Sequence, residues 1–428
     1  MNWIFYIILI ALVLSFTLHM LADKLNLKSL SGTMPEAYAH VYSKRRYALF
    51  CAYETAQTRL SWLDSGVKLV ILLVFWFSGG FNWLNNLVLS FGFGVILSGL
   101  IFGAAILWAT FIIEIPFNYY HTFGIEQRYG FNRTTKKTFV LDRIKVFILI
   151  SLLGAIIFSI LIWFFAQGFA LGWLWCWLAL CMVMLCIQWL VPNVIMPLFN
   201  KFTFLPENEL RSLIFDYARR LKFSIKDVYV MDGSKRSSKL NAFVSGLGSN
   251  RRVVLYDTLV DRCDNCEVLA VLAHEIGHIK CHHLRNGLFV QFVYVGVLLF
   301  LFSLFVSSKG LYDAFFMDLQ PVYAGIIFFS LLYTPIDFFA GIALNYFSRK
   351  KEFDADRFAY ETTGDAQSLI KVFEKLAVLN LANLAPHRFY VVLNGTHPPL
   401  LMRIAAVEKT AEAKGELPVI VNMADDCE

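Results

Sequence analysis

His274-Glu275-Ile276-Gly277-His278 is a pentapeptide of the form HExxH, in a chain of 428 residues that contains nine histidines. Residues four apart lie on one face of a helix, so His274 and His278 can offer two imidazole nitrogens to one Zn²⁺. Glu275 stands about 100° around the same helix, close enough to hold a metal-bound water without ligating the metal. That is the minimal layout of a zinc hydrolase, with Glu275 as general base.

The flanking residues supply the helix this reading needs. Asp264-Asn265-Cys266-Glu267 has the form of an N-cap with an acidic residue three positions on, and the apolar run Val268–Ala273 follows. No proline interrupts the pattern before Pro321.

A hydrolytic zinc needs a third protein ligand and one open position. The spacing that would place a third histidine shortly after His278 is absent, since His282 and His283 occupy the positions where that pattern needs other residues. A distant glutamate is the alternative, and Glu352 in Ser348-Arg349-Lys350-Lys351-Glu352-Phe353-Asp354-Ala355-Asp356 fits it. Asp356, one turn later on the same face, can accept a hydrogen bond from the second nitrogen of a ligating histidine. On spacing alone, the same run also suits the solvated end of a helix leaving a membrane.

Composition places this chemistry in a bilayer. Hydrophobic residues make up 58% of the chain and charged residues 16%, and the mean hydropathy is +0.58, outside the range of soluble domains. Seven apolar stretches are long enough to span: roughly 3–22, 66–89, 91–113, 144–166, 170–194, 286–307 and 322–347. The first has no basic n-region and no small-residue cleavage site, so it reads as a retained span.

Basic residues concentrate in alternate connections. Segment 23–65 carries Lys24, Lys28, Lys44, Arg45, Arg46 and Arg59, and segment 120–145 carries Arg128, Arg133, Lys136, Lys137, Arg143 and Lys145. The intervening loops hold Lys309 alone. By the positive-inside rule the N-terminus lies outside, and the region around His274 and the C-terminal tail face the cytoplasm. These loop charges account for the net charge of +6, so anionic lipid, and no nucleic acid, is the expected contact.

Cys176, Cys181 and Cys186 fall in an apolar stretch, where they serve as small hydrophobes. Cys263 and Cys266 form a single CxxC with no second pair, which gives a structural zinc little support. Two alternating runs, Val228–Met231 and Arg252–Tyr256, read as strands. The stretch 239–248 between them is either a short edge strand able to pair with an extended peptide or a plain hairpin. Glu114 and Asp337 are ionisable residues in or beside spans, which face a wet interior or cap a helix end.

HEIGH, then a span, then SRKKEFDADRFA, then THPPLLMRI at 396–404 resembles the integral-membrane zinc metalloproteases of the gluzincin type, which include the type I CAAX prenyl proteases. The segment Tyr119–Arg133 is similar to one typical of the prenyl-protease branch, and the likeness covers about 30–410. The resemblance implies an all-α membrane fold, with seven transmembrane helices around a chamber and a mostly helical zinc metalloprotease domain carrying a small β-sheet. It implies one zinc per chain on His274, His278 and Glu352, water activation by Glu275, orientation of a ligand by Asp356, substrate backbone on Asn241, and His397 and Arg403 lining the site. It also implies prenylated CAAX peptides or proteins as substrates, losing their last three residues. Met402 departs from the family, which usually has an acidic residue there.

The expected organisation is five membrane helices in 1–194, a protease region with the HExxH helix in 195–285, two further spans in 286–347 and C-terminal protease helices in 348–428. Other readings stay open: a quality-control metalloprotease with no prenyl requirement, or a catalytically silent scaffold or transporter. The host membrane, bacterial inner or endoplasmic reticulum, and the oligomeric state are not legible in the sequence, and the acidic tail Asp425-Asp426-Cys427-Glu428 holds no retrieval signal.

Overall fold

The computed structural model describes residues 1–30, 34–169, 171–246 and 251–415, so the tail at 425–428 and positions 247–248 of the central loop lie outside it. The chain is mainly helical. The first five long helices are α1 (Trp3–Ser29), α2 (Lys44–Phe77), α4 (Val95–Tyr120), α5 (Lys136–Ala166) and α6 (Gly172–Leu190), with the short α3 (Gly80–Leu89) after α2. A short α7 (Met196–Phe199) leads to the strand β1 (Phe202–Phe204), helix α8 (Glu209–Arg220) and strands β2 (Asp227–Met231), β3 (Ala242–Ser245) and β4 (Arg252–Tyr256). Then come α9 (Asp257–Val260), α10 (Asn265–Lys280), α11 (His283–Phe305), α12 (Lys309–Asp313), α13 (Val322–Leu332) and α14 (Thr334–Thr363). The chain closes with α15 (Ala366–Asn380), α16 (Arg388–Asn394) and α17 (Leu400–Glu412).

Among the described residues, six helices are long and apolar enough to cross a membrane, and α13 and α14, bent by 53° at their junction, are long and apolar enough together to bring the number to seven. Pro335 in the first turn of α14 cannot complete the backbone ladder from α13, which accounts for the bend. The seven apolar stretches thus correspond to these helices, with one correction.

The stretch 66–89 is not one span. The crossing is the 34-residue α2, which begins at Lys44, so most of the supposed basic loop 23–65 is helix. It stops at Phe77, and Gly79 takes a left-handed φ of 73°. A Cβ on Gly80 would lie 2.4 Å from the Phe75 ring, so the chain turns sharply there only with glycine. Helix α10 is separate from the span that follows it. It ends at Lys280, His282 adopts a left-handed φ of 59°, and α11 starts afresh at His283.

Two packed regions sit at opposite ends. In one, α8, α10, α15 and α17 enclose the sheet through buried residues such as Ile214, Val253, Leu272 and Val372. The sheet order is β1-β2-β4-β3, with β2 and β4 parallel and the other pairs antiparallel. Both predicted strands are present, and β3 lies at an edge. In the other region, the far ends of most spans meet in an aromatic plug with Trp76, Phe81, Phe315 and Phe328. Phe315 and Phe328 stack with centroids 3.9 Å apart, and Trp76 donates to the Ala314 carbonyl at 2.8 Å.

Between these ends runs a series of polar cavities. The largest, 670 Å³, reaches from His274 to Tyr390 and Asn394. These two residues also border a 340 Å³ cavity lined by His19, Asp23 and Trp62. It adjoins a 180 Å³ cavity at Asp337 through His19, and a 390 Å³ cavity at Lys68 and Glu114 through Ser61. Glu114 and Asp337 therefore face the interior. Lys68 Nζ holds Glu114 at 2.8 Å and Asp64 at 3.0 Å, and Tyr294 donates to Asp337 at 2.5 Å, so neither carboxylate is left bare.

Candidate active site

Helix α10 is fixed at its start by the expected cap. Asp264 accepts from the amides of Cys266 and Glu267 at 3.0 and 2.9 Å, and Glu267 accepts from the Asp264 amide at 2.9 Å. Glu267 is fully buried, and Lys375 on α15 donates to it at 2.6 Å, so the cap also ties α10 to α15. Further along, a Cβ on Gly277 would lie 3.1 Å from the Ala355 carbonyl, so glycine in the motif is what lets α10 approach α14. This contact brings Glu352 across from His274 and His278.

The Nε2 atoms of His274 and His278 lie 3.1 Å apart, and the Glu352 carboxylate stands 3.5 Å from the first and 3.4 Å from the second. Among the described residues these three form the one group of His, Cys, Asp or Glu with metal-ligand spacing, all three ligand atoms lying within 4.8 Å of one another. Glu352 Oε2 is buried without a hydrogen-bond partner. Arg403 Nη1 stands 3.6 Å from it, beyond hydrogen-bond reach; a carboxylate oxygen left so beside two converging imidazole nitrogens makes a donor set that fits a metal.

Each histidine is oriented from behind. His274 Nδ1 meets Asp356 Oδ1 at 2.8 Å, and Asp356 is in turn gripped by Arg403 through Nε at 2.8 Å and Nη2 at 2.6 Å. The guanidinium carbon sits 4.3 Å from the centroid of the Phe373 ring. His278 Nδ1 meets the Nδ1 of His283 at 3.0 Å. Burial favours neutral His274, but its hydrogen bond with Asp356 and the nearby Glu352 carboxylate outweigh that and raise it to about 9. Burial also pushes the Glu275 carboxyl above the ordinary range, with the two histidines pulling the other way.

Six residues expected at the site, Asn241, His274, Glu275, Glu352, His397 and Arg403, line the 670 Å³ cavity. The other two complete the cluster, His278 beside Glu352 and Asp356 beneath His274. His397 is exposed, 3.6 Å from Glu352, whereas Arg403 is largely buried and committed to Asp356. Met402 is exposed, so the family's acidic residue has no counterpart contact here. Sequence reasoning missed His283, because only the left-handed His282 folds it back onto His278. It also missed Glu54, which lines the cavity and contacts Asn26 at 3.3 Å. Glu54 was hidden by being read as loop, although an acidic residue in a helix that becomes a span was the available signal. Cys263 and Cys266 are free thiols, and burial followed by the charge of Glu267 pushes Cys263 up to about 12, far from a metal ligand's range.

Comparison with known proteins extends this geometry along the chain. Residues 23–201 match the family described as CAAX prenyl protease N-terminal, five membrane helices, and residues 205–411 match peptidase family M48. The CAAX prenyl protease 1 homolog of Arabidopsis thaliana is 34% identical over 88% of this chain and 90% of its own. That of Oryza sativa is 35% identical over 90% of this chain and 92% of its own. The crystal structure of S. mikatae Ste24p superposes with a TM-score of 0.88 at 26% identity, covering 95% of this chain and 99% of that one. With the HExxH helix, the distant glutamate and the membrane helices all accounted for, the chain belongs to peptidase family M48, in its CAAX prenyl protease branch, and is a membrane-embedded metalloendopeptidase.

Proposed function

We propose that the protein is a zinc endopeptidase that removes the C-terminal tripeptide from prenylated CAAX proteins or peptides, with its active site on the cytoplasmic side. The observation that carries this reading is the convergence of His274, His278 and the orphaned Glu352 oxygen at the inner end of a cavity continuous with intramembrane space. A prenylated chain end needs both a hydrolytic centre and an adjoining volume inside the bilayer. The names borne by the relatives support the same substrate class.

His274, His278 and Glu352 hold one zinc ion in this reading, which when bound supplies Lewis-acid polarisation of a water and of the scissile carbonyl. Glu275 takes the proton from that water and returns it to the departing amine. Its raised affinity for protons suits both halves of the transfer. Asp356 fixes His274 through Nδ1, and Arg403 holds Asp356 in place, so Arg403 acts through its neighbour. The exposed His397 is free to donate to the oxygen that becomes negative as the amide is attacked.

β3 is the substrate strand. Tyr256 N donates to the Asn241 carbonyl at 3.1 Å, and by antiparallel alternation the amides of Ala242 and Val244 then point away from β4; that of Ala242 donates to the Asn241 Oδ1 at 2.9 Å, and that of Val244 faces the free edge. An extended peptide can pair there, with the Asn241 side chain beside it.

Cleavage of farnesylated and unmodified peptides by the full-length protein, with metal removed and zinc restored, tests the assignment. The farnesylated peptide is cleaved in preference, and only with metal. Equal rates on both would replace this reading with a quality-control protease that has no prenyl requirement. His283 gives a further check: His283→Ala lowers zinc affinity about 10- to 100-fold in competition with a chelator, while the fold is retained, because His278 loses the partner that orients it.

A further inference from the structure

The segment Tyr119–Arg133, the most distinctive stretch outside the metal site, has no part in the chemistry described above. Its first half ends in a π-helical turn, His121–Glu126, a geometry that costs stability and is frequent at functional sites. Its second half runs beside Arg236–Lys239. The Arg133 amide donates to the Arg236 carbonyl at 3.0 Å, and the Ser238 amide to the Phe131 carbonyl at 3.1 Å. Lys239 lies two residues before Asn241 and three before β3.

At the centre of this contact is a charged node. The Glu126 side chain is 11% exposed, and Lys239 Nζ approaches it at 3.3 Å. Gln57 donates to it at 3.2 Å, and Tyr53 also donates to it. Lys239 Nζ lies 2.8 Å from the Tyr53 hydroxyl and 4.6 Å from the centroid of the Phe131 ring. On the other side, the Leu240 amide donates to Asn380 on α15 at 3.1 Å. The residues leading into β3 are thus strung between a membrane helix and the protease core.

A half-buried ion pair is a poor way to gain stability, since desolvation offsets most of the attraction, but it fixes geometry. What it fixes here is the entry to an edge strand that, among the described residues, has no sheet neighbour on its outer side. We propose that Glu126 and Lys239, with Tyr53, are positioning residues: a strut from the membrane helices that sets the height and register at which β3 presents a peptide to Glu275. The proposal rests on β3 being the substrate strand. It gives the Tyr119–Arg133 segment a task, coupling the membrane bundle to the strand edge on which the peptide binds.

Steady-state kinetics on the full-length protein test it, using Glu126→Gln, Lys239→Met, the double variant and the conservative Lys239→Arg, with Val244→Pro as an independent probe of the strand. Proline at Val244 removes an outward amide without touching the ladder to β4. Val244→Pro is expected to raise KM about tenfold or more, the loss of one well-made hydrogen bond to substrate. Glu126→Gln and Lys239→Met should each raise KM several-fold with kcat and zinc content unchanged. The double variant should be no worse than either single one, because the two act as one unit, and Lys239→Arg should recover part of the loss. An unchanged KM in Glu126→Gln beside a raised KM in Val244→Pro overturns the strut and leaves the strand reading standing. No effect of Val244→Pro overturns the strand reading and the strut with it. Additive single effects, or a fall in zinc content that tracks the loss, also overturn the proposal. If Glu126→Gln does not fold, Lys239→Met and Lys239→Arg carry the same decision.

Discussion

Glu275→Gln leaves zinc in place and reduces peptide cleavage by roughly a thousandfold or more, within the range that positioned acid–base groups supply. The substitution is nearly isosteric, and none of the groups that hold the metal is altered: His274, His278 and Glu352 keep their spacing, and Asp356 and His283 still orient the rings. What is lost is the one acceptor able to take a proton in the first half of the reaction and return it in the second. The loss belongs in kcat, with substrate affinity preserved. The measurement is metal content by mass spectrometry alongside steady-state rates, and cleavage within tenfold of the wild type would sink the assignment of Glu275.

Asp356→Ala acts on the same site from behind and is expected to be the most damaging change to the fold of the protease region. Asp356 is 1% exposed and carries two bonds from Arg403 and one from His274. Removing it strands a largely buried guanidinium, which costs about 3–5 kcal/mol. It also frees the His274 ring to rotate, so zinc affinity falls about 10- to 100-fold. The two effects separate in a double variant. Asp356→Leu with Arg403→Met removes both charges together and should recover most of the melting temperature, while zinc affinity stays low because nothing accepts from His274 Nδ1. Recovery of affinity along with stability would show that Asp356 serves only to neutralise Arg403.

What the sequence made legible follows from how local each signal is. The HExxH helix of sixteen residues and the Asp264–Glu267 cap at its start are written in one continuous stretch, and both appear as expected. The alternating runs at Val228 and Arg252 became paired strands for the same reason. Glu352 was reachable because a hydrolytic metal requires a third ligand, but its approach to His274 depends on Gly277 admitting Ala355, a contact between helices that no spacing announces. Asn241, His397 and Arg403 carry no periodicity of their own and were visible only through family likeness. Hydropathy failed at 66–89 because glycine is weakly apolar: a window average passes smoothly over Gly79 and Gly80, where the backbone turns. His283 was visible as a residue and invisible as a partner, since its role depends on the backbone angle of His282.

The aromatic plug has a further consequence, for the electrical integrity of the membrane. Charged side chains deep in a bilayer, such as Lys68 and Glu114, invite water and with it a route for protons. One unit charge moving through a potential of 100 mV releases about 2.3 kcal/mol, so an open route would drain the gradient of the host membrane continuously. Along α2 about 12 Å of helix separates Lys68 from Trp76, and Trp76 is already buried among Phe315 and its neighbours. The polar space therefore ends as a cul-de-sac before it reaches the opposite face. Hydrolysis at the other end of that space can then proceed without short-circuiting the bilayer.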